Sequence, residues 1–219
     1  MFIDRLRRQE TLMKVNGKII TVLVLSLVGT LFSIENSSVQ KTVQHCKISD
    51  SVKLNVVYIP QNDDKSCATT CVAMVISYYE KLKCKPLDKE IVWKISGTDE
   101  RAVSKDGNDM KGLTRIADHY GYKSEYCEHM QIDDLEHLLA KGIPVILNIK
   151  ASQRGLATHA VLVIGYDKNK KIFYINDPVD RKKKILKYSD LESRWMAHLS
   201  SPYGMSYQSG FVVYPKNHK

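Results

Sequence analysis

Two kinds of hydrophobic spacing divide the chain, and the change from one to the other falls near Pro144. Upstream of it, Ala68, Cys71, Val72, Met74, Val75, Tyr78 and Tyr79 recur every three or four residues. That spacing lines one face of a helix running from Ser66, a suitable N-cap, to about Leu82. Similar spacing predicts helices over Leu87–Ile95, over Met110–Tyr120 with Gly121 as its stop, and over Asp133–Lys141. Before the first helix, Leu54–Pro60 reads as a strand and Gln61–Lys65 as a polar loop. Downstream of Pro144 the pattern becomes short apolar runs: Val145–Ile149, Ala160–Tyr166, Lys171–Ile175, Ile185–Tyr188 and Phe211–Tyr214. These predict antiparallel strands, with Asp167-Lys168-Asn169-Lys170 as a hairpin turn. Helices followed by a meandering sheet define an α+β fold, with a cleft expected between the two halves.

The N-terminus has a different pattern. Ile19–Ile34 is mostly apolar and follows Arg5, Arg7, Arg8, Lys14 and Lys18, as in an export signal. Its length is short of the roughly 20 residues a spanning helix needs, which favours a cleaved signal over a permanent anchor. The expected organisation is a signal peptide or membrane anchor over residues 1–35, a linker over 36–50 and one catalytic domain over 51–219. Met13 before Lys14 is an alternative start. The expected location is outside the cytoplasm, periplasmic or secreted, with membrane association through residues 19–34 if the segment is kept.

The chain of 219 residues carries a formal net charge of +9. Residues 1–35 account for little of this excess, so the domain itself is basic, partly through Arg181-Lys182-Lys183-Lys184. Such a run suits either a solvated strand edge guarded against pairing or an anionic partner. Nucleic acid is not expected, because no aromatic platform or zinc-finger spacing accompanies the charge.

Five cysteines (46, 67, 71, 84 and 127) make an odd set, which in an oxidising compartment leaves at least one thiol unpaired. A thiol attacks as its thiolate, and a helix N-terminus favours negative charge. Cys67 sits at that position, whereas Cys71 lies one turn further in. In the predicted hairpin, His159 and Asp177 fall within about two residues of mutual register at the same end. Such a pair suits a base and the carboxylate that orients it. Gln61, six residues before Cys67, offers an amide donor for an oxyanion.

The ordered motifs resemble those of the double-glycine leader peptidases, also called bacteriocin-processing peptidases. The resemblance is carried by Tyr58-Ile59-Pro60-Gln61, by Ser66-Cys67-Ala68-Thr69-Thr70-Cys71, by Thr158-His159-Ala160 through Gly165-Tyr166-Asp167, and by Tyr174-Ile175-Asn176-Asp177-Pro178. It covers roughly residues 52–215 and implies a papain-like fold with Cys67 as nucleophile, His159 as base, Asp177 as its partner and Gln61 as oxyanion donor. It further implies a peptide or protein substrate, and no cofactor. Ala68 departs from the glycine usual after the family's cysteine. Many members are fused to an ABC transporter; this chain contains no Gly-x-x-x-x-Gly-Lys-Ser/Thr loop, so ATP is not an expected ligand. Three other readings use the same residues: a peptide-binding module without catalysis, a transglutaminase or amidase, and a zinc site built from Cys67, Cys71 and His159.

Overall fold

The computed structural model describes residues 49–82, 84–98, 109–151, 158–182, 184–199 and 204–217. The signal and most of the linker expected over residues 1–50, together with Cys46, lie outside them. The described residues belong to one compact unit, Ile48–Lys219. Among the described residues no helix is long and apolar enough to cross a membrane.

Among the described residues there are five helices and nine strands: α1 is Cys67–Tyr79, α2 Lys89–Ser96, α3 Met110–His119, α4 Ile132–Ala140 and α5 Tyr188–Arg194. The strands are β1 Ser51–Lys53, β2 Tyr122–Cys127, β3 Val145–Lys150, β4 Thr158–Asp167, β5 Ile172–Asn176, β6 Ile185–Lys187, β7 Met196–Leu199, β8 Gly204–Tyr207 and β9 Gly210–Pro215. The expected α+β class holds, and the four predicted helices and the strands at β3, β4, β5 and β9 form within a few residues of their predicted bounds. The main sheet is antiparallel, with order β2-β9-β3-β4-β5-β6 and β1 added to β4. It is not a simple meander, because β9 inserts between β2 and β3. β7 and β8 form a separate pair.

Two predicted strands need correction. Leu54–Pro60 has no regular structure; the strand precedes it as β1. The 54–60 segment is tied down locally, since Leu54 N donates to Ile164 O (2.7 Å) and Asn176 Nδ2 to Val56 O (3.4 Å). Ile185–Tyr188 ends as a strand at Lys187, because Tyr188 opens α5. Its hydroxyl donates to the buried Glu136 (2.7 Å), and its ring stacks on Phe173.

α1 is the centre of the packing. Every residue from Cys67 to Ser77 is buried, including Thr69, Thr70 and Ser77. A helix enclosed on all sides must satisfy its own polar groups. Thr69 Oγ1 accordingly donates to Ser66 O (3.0 Å), and Ser77 Oγ accepts from Leu87 N (2.9 Å). α3 shows the ordinary amphipathic stripe of Met110, Leu113, Ile116 and Ala117, and ends where Gly121 adopts φ +79°. The β4–β5 turn is closed by Asp167, whose carboxylate accepts from Lys170 N (3.0 Å) and Lys170 Nζ (2.7 Å).

Candidate active site

Cys67 is the first residue of α1, and Ser66 stands at the N-cap position. The expected cap is not made: Ser66 has φ −92° and ψ 18°, and its hydroxyl makes no bond to the helix backbone N–H groups. It turns back and donates to Asp63 Oδ2 (2.6 Å). Asp63 also accepts from Lys65 N (2.8 Å), Ser66 N (2.7 Å) and Lys89 Nζ (3.1 Å). Burial would raise this carboxyl, but the Ser66, Lys65 and Lys89 donors outweigh it and hold it near 2. The charged Asp63 therefore braces the loop that delivers Cys67. Asp63 stands four residues before the first residue of α1, and an acidic residue just ahead of a helix start is the signal for this role within a segment whose composition reads only as a polar loop.

Cys67 and Cys71 occupy different environments one turn apart. Cys71 is completely buried, and its Sγ lies 3.8 Å from Ala160 O. Desolvation, with the nearby Cys67 and Asp177, pushes its thiol well above the ordinary range. Cys71 thus serves as a core thiol packed between α1 and β4. Among the described residues no group of three metal-ligating side chains is placed to hold a metal ion.

The β4–β5 hairpin brings His159 and Asp177 together. His159 Nε2 donates to Asp177 Oδ1 at 2.7 Å, with both side chains largely buried. The same Oδ1 accepts from Val179 N (3.1 Å) and Asp180 N (3.4 Å), which closes the turn after β5 around the carboxylate. Cys67 lies within side-chain hydrogen-bonding reach of His159. With Nε2 committed to Asp177, the other ring nitrogen is the one available to the thiol. Burial alone would lower the His159 pKa, but hydrogen bonding and charge from Asp177 and Cys67 raise it to about 9. The imidazole is therefore kept protonated at neutral pH.

The register that allows this contact contains a β-bulge. Pairing runs Leu162↔Asn176 and Val163↔Ile175, then resumes at Gly165↔Tyr174. One step beyond Asn176, Asp177 comes opposite Val161, on the same face as His159 two residues back. Without the extra residue Asp177 would oppose Leu162 and face the other side. The bulge also frees Ile164 O to accept from Leu54 N, which anchors the segment leading to Gln61.

Gln61 is buried, at 3% exposure, and so is not a solvent-facing loop residue. Its backbone N–H donates to Pro178 O (3.0 Å), and the Tyr58 hydroxyl donates to the same carbonyl (3.3 Å). These bonds fasten the Gln61 segment to the turn that carries Asp177. One hydrogen of Gln61 Nε2 is given to Asp63 O, while Oε1 has no partner among the described residues. The Tyr58 tie is not legible in the sequence, since a tyrosine before Ile-Pro-Gln carries no local sign of its distant acceptor.

A helix-borne cysteine packed against an antiparallel sheet that presents histidine and aspartate is the architecture of papain-like cysteine peptidases. The chain belongs to the Peptidase_C39 like family, whose model matches residues 53–201. Solved structures share the fold at low sequence identity. A double-glycine motif protease from an AMS/PCAT transporter, in complex with its leader peptide, aligns at TM-score 0.51 and 21% identity over 75% of this chain and 95% of that one. The peptidase domain of Streptococcus ComA, a bi-functional ABC transporter, gives 0.50 and 18% over 74% and 99%. Xylellain, a cysteine protease from Xylella fastidiosa, gives 0.51 and 14% over 84% and 90%. Comparison with curated protein sequences gives no match.

Proposed function

We propose that this chain is an active cysteine peptidase that hydrolyses peptide bonds through an acyl-enzyme. Cys67 attacks the scissile carbonyl, forming the Sγ–C bond, and the tetrahedral intermediate collapses as His159 gives its proton to the departing amine. Water, deprotonated by His159, then releases the acid product and restores the thiol. Asp177 holds the imidazole orientation and its charge. The second hydrogen of Gln61 Nε2 and the Cys67 backbone N–H serve the oxyanion. The observation that carries the proposal is His159 set between Cys67 and a buried Asp177, with a pKa raised to about 9.

The substrate is a peptide or protein, by analogy with the relative solved with a leader peptide. The basic and apolar N-terminal segment supports an exported location for the enzyme. Brief iodoacetamide treatment near neutral pH, followed by peptide mapping, tests the pair directly. Cys67 should label quickly and Cys71 hardly at all, and His159→Ala should slow Cys67 by about tenfold or more. Cys67 reacting no faster than the exposed Cys84 would refute the activated pair and favour a non-catalytic peptide-binding role.

A further inference from the structure

The basic run singled out in the sequence is not spread evenly over solvent. Arg181 and Lys184 line a cavity of ≈ 260 Å³ beside the Asp177 turn, together with Lys53 from the far side. All four of Lys53, Arg181, Lys182 and Lys184 are exposed, but Lys182 takes no part in the lining. Aromatic rings hold two of the three cations in place. Arg181 lies over the Tyr58 ring (5.5 Å to its centroid) and Lys53 over that of Tyr174 (4.7 Å). Among the described residues none of the three is in an ion pair. The carboxylate that reaches the lining is Asp177, and it is already engaged by His159 and two backbone N–H groups.

Three exposed cations border one cavity, and none of them is in an ion pair among the described residues, so an anion from outside suits the space. We propose that this cavity is a specificity subsite for an acidic side chain, aspartate or glutamate, of the bound peptide. The inference deepens the peptidase reading and rests on it for the identity of the occupant as a peptide. Asp177, the partner of His159, is on the cavity wall, and this adjacency to the proposed active site favours a peptide carboxylate over a free anion. The guanidinium fork of Arg181 and the two ammonium groups match a carboxylate and reject a basic residue.

Binding, not cleavage, tests the subsite, so its failure is separate from failure of the triad. Fluorescein-labelled hexaglutamate and hexaglutamine peptides are titrated into the Cys67→Ala protein at low salt and followed by anisotropy, with inorganic phosphate as competitor. Hexaglutamate should bind at least about tenfold more tightly than hexaglutamine, and Arg181→Gln or Lys53→Gln should each remove about tenfold of that. Lys182→Gln, equal in charge change but outside the cavity, should leave the affinity within about twofold. Circular dichroism establishes that each variant is folded, and the two cavity variants, from different segments, check one another. Equal binding of the two peptides would overturn the proposal. A Lys182→Gln effect as large as that of Arg181→Gln would also do so, by showing attraction to net charge alone. Phosphate binding that Arg181→Gln abolishes, with no preference for hexaglutamate, would assign the cavity to a free anion and reject the peptide subsite.

Discussion

Replacing Asp177 with asparagine isolates its charge from its shape. Asparagine keeps an oxygen that can accept from Val179 N and Asp180 N, so the turn after β5 should persist. The negative charge beside His159 is lost. Burial already opposes protonation of that ring, and Asp177 is the first of the influences that raise its pKa to about 9. Removing an adjacent opposite charge lowers such a pKa by about 1–3 pH units. A fall of two pH units takes the imidazolium population at pH 7 from nearly complete to about half. The histidine Cε1–H resonance, followed by NMR from pH 5 to 10, should titrate near 9 in the wild type and correspondingly lower in Asp177→Asn. Linkage fixes the sign of the stability effect. The folded-state pKa is raised above the ordinary 6.5, so protonation favours the folded chain. That contribution is complete below pH 6.5 and is lost as pH rises through about 9. Urea denaturation should therefore find Asp177→Asn less stable by about 1–4 kcal/mol at pH 6, with the gap closing above pH 9. An unchanged histidine midpoint, or a stability gap independent of pH, would refute the assignment of Asp177 as the partner that keeps His159 charged.

Two further variants examine the supports of the site. Gln61→Ala should lower kcat by about 10²–10³ in a peptide-cleavage assay while changing urea stability by no more than about 1 kcal/mol, since the bond to Asp63 O is lost along with a buried Oε1 that lacks a partner; a loss of activity below about tenfold would remove Gln61 from the oxyanion site. Gly165→Ala should destabilise the domain by about 1–3 kcal/mol, because its Cβ would meet the Val52 carbonyl and come within 2.8 Å of Lys53 Cα. The thermal midpoint should drop by about 2–4 °C per kcal/mol, and an unchanged midpoint would show that β1 yields without cost.

Much of the architecture was legible in local spacing, for physical reasons. The helices at α1 to α4 follow from apolar residues at three- and four-residue intervals, and α3 stops where Gly121 alone relieves a positive φ. The strands at β3, β4, β5 and β9 are buried apolar runs that need no partner to be recognised. Less was legible where structure depends on distant acceptors. Leu54–Pro60 has the composition of a strand, yet its backbone is held by isolated bonds to Ile164 and Asn176 rather than by a ladder. Ser66 has the chemistry of a cap, yet Asp63 claims its hydroxyl.

The sequence by itself singled out Cys67, His159, Asp177 and Gln61 as candidates and the approximate end of the hairpin at which His159 and Asp177 meet. Tertiary structure decided the face. The turn at residues 168–171 sets a register that, continued unbroken, would point Asp177 away from His159, and one bulged residue near Ile164 reverses the alternation. The bulge persists because Leu54 takes up the Ile164 carbonyl and Gly165, lacking a side chain, lets β1 approach. Those partners lie more than a hundred residues away along the chain, so no local pattern of apolar and polar positions could specify them. A strand's side chains alternate strictly, and a long-range contact that shifts the count by one therefore decides whether the hairpin holds a histidine–carboxylate pair.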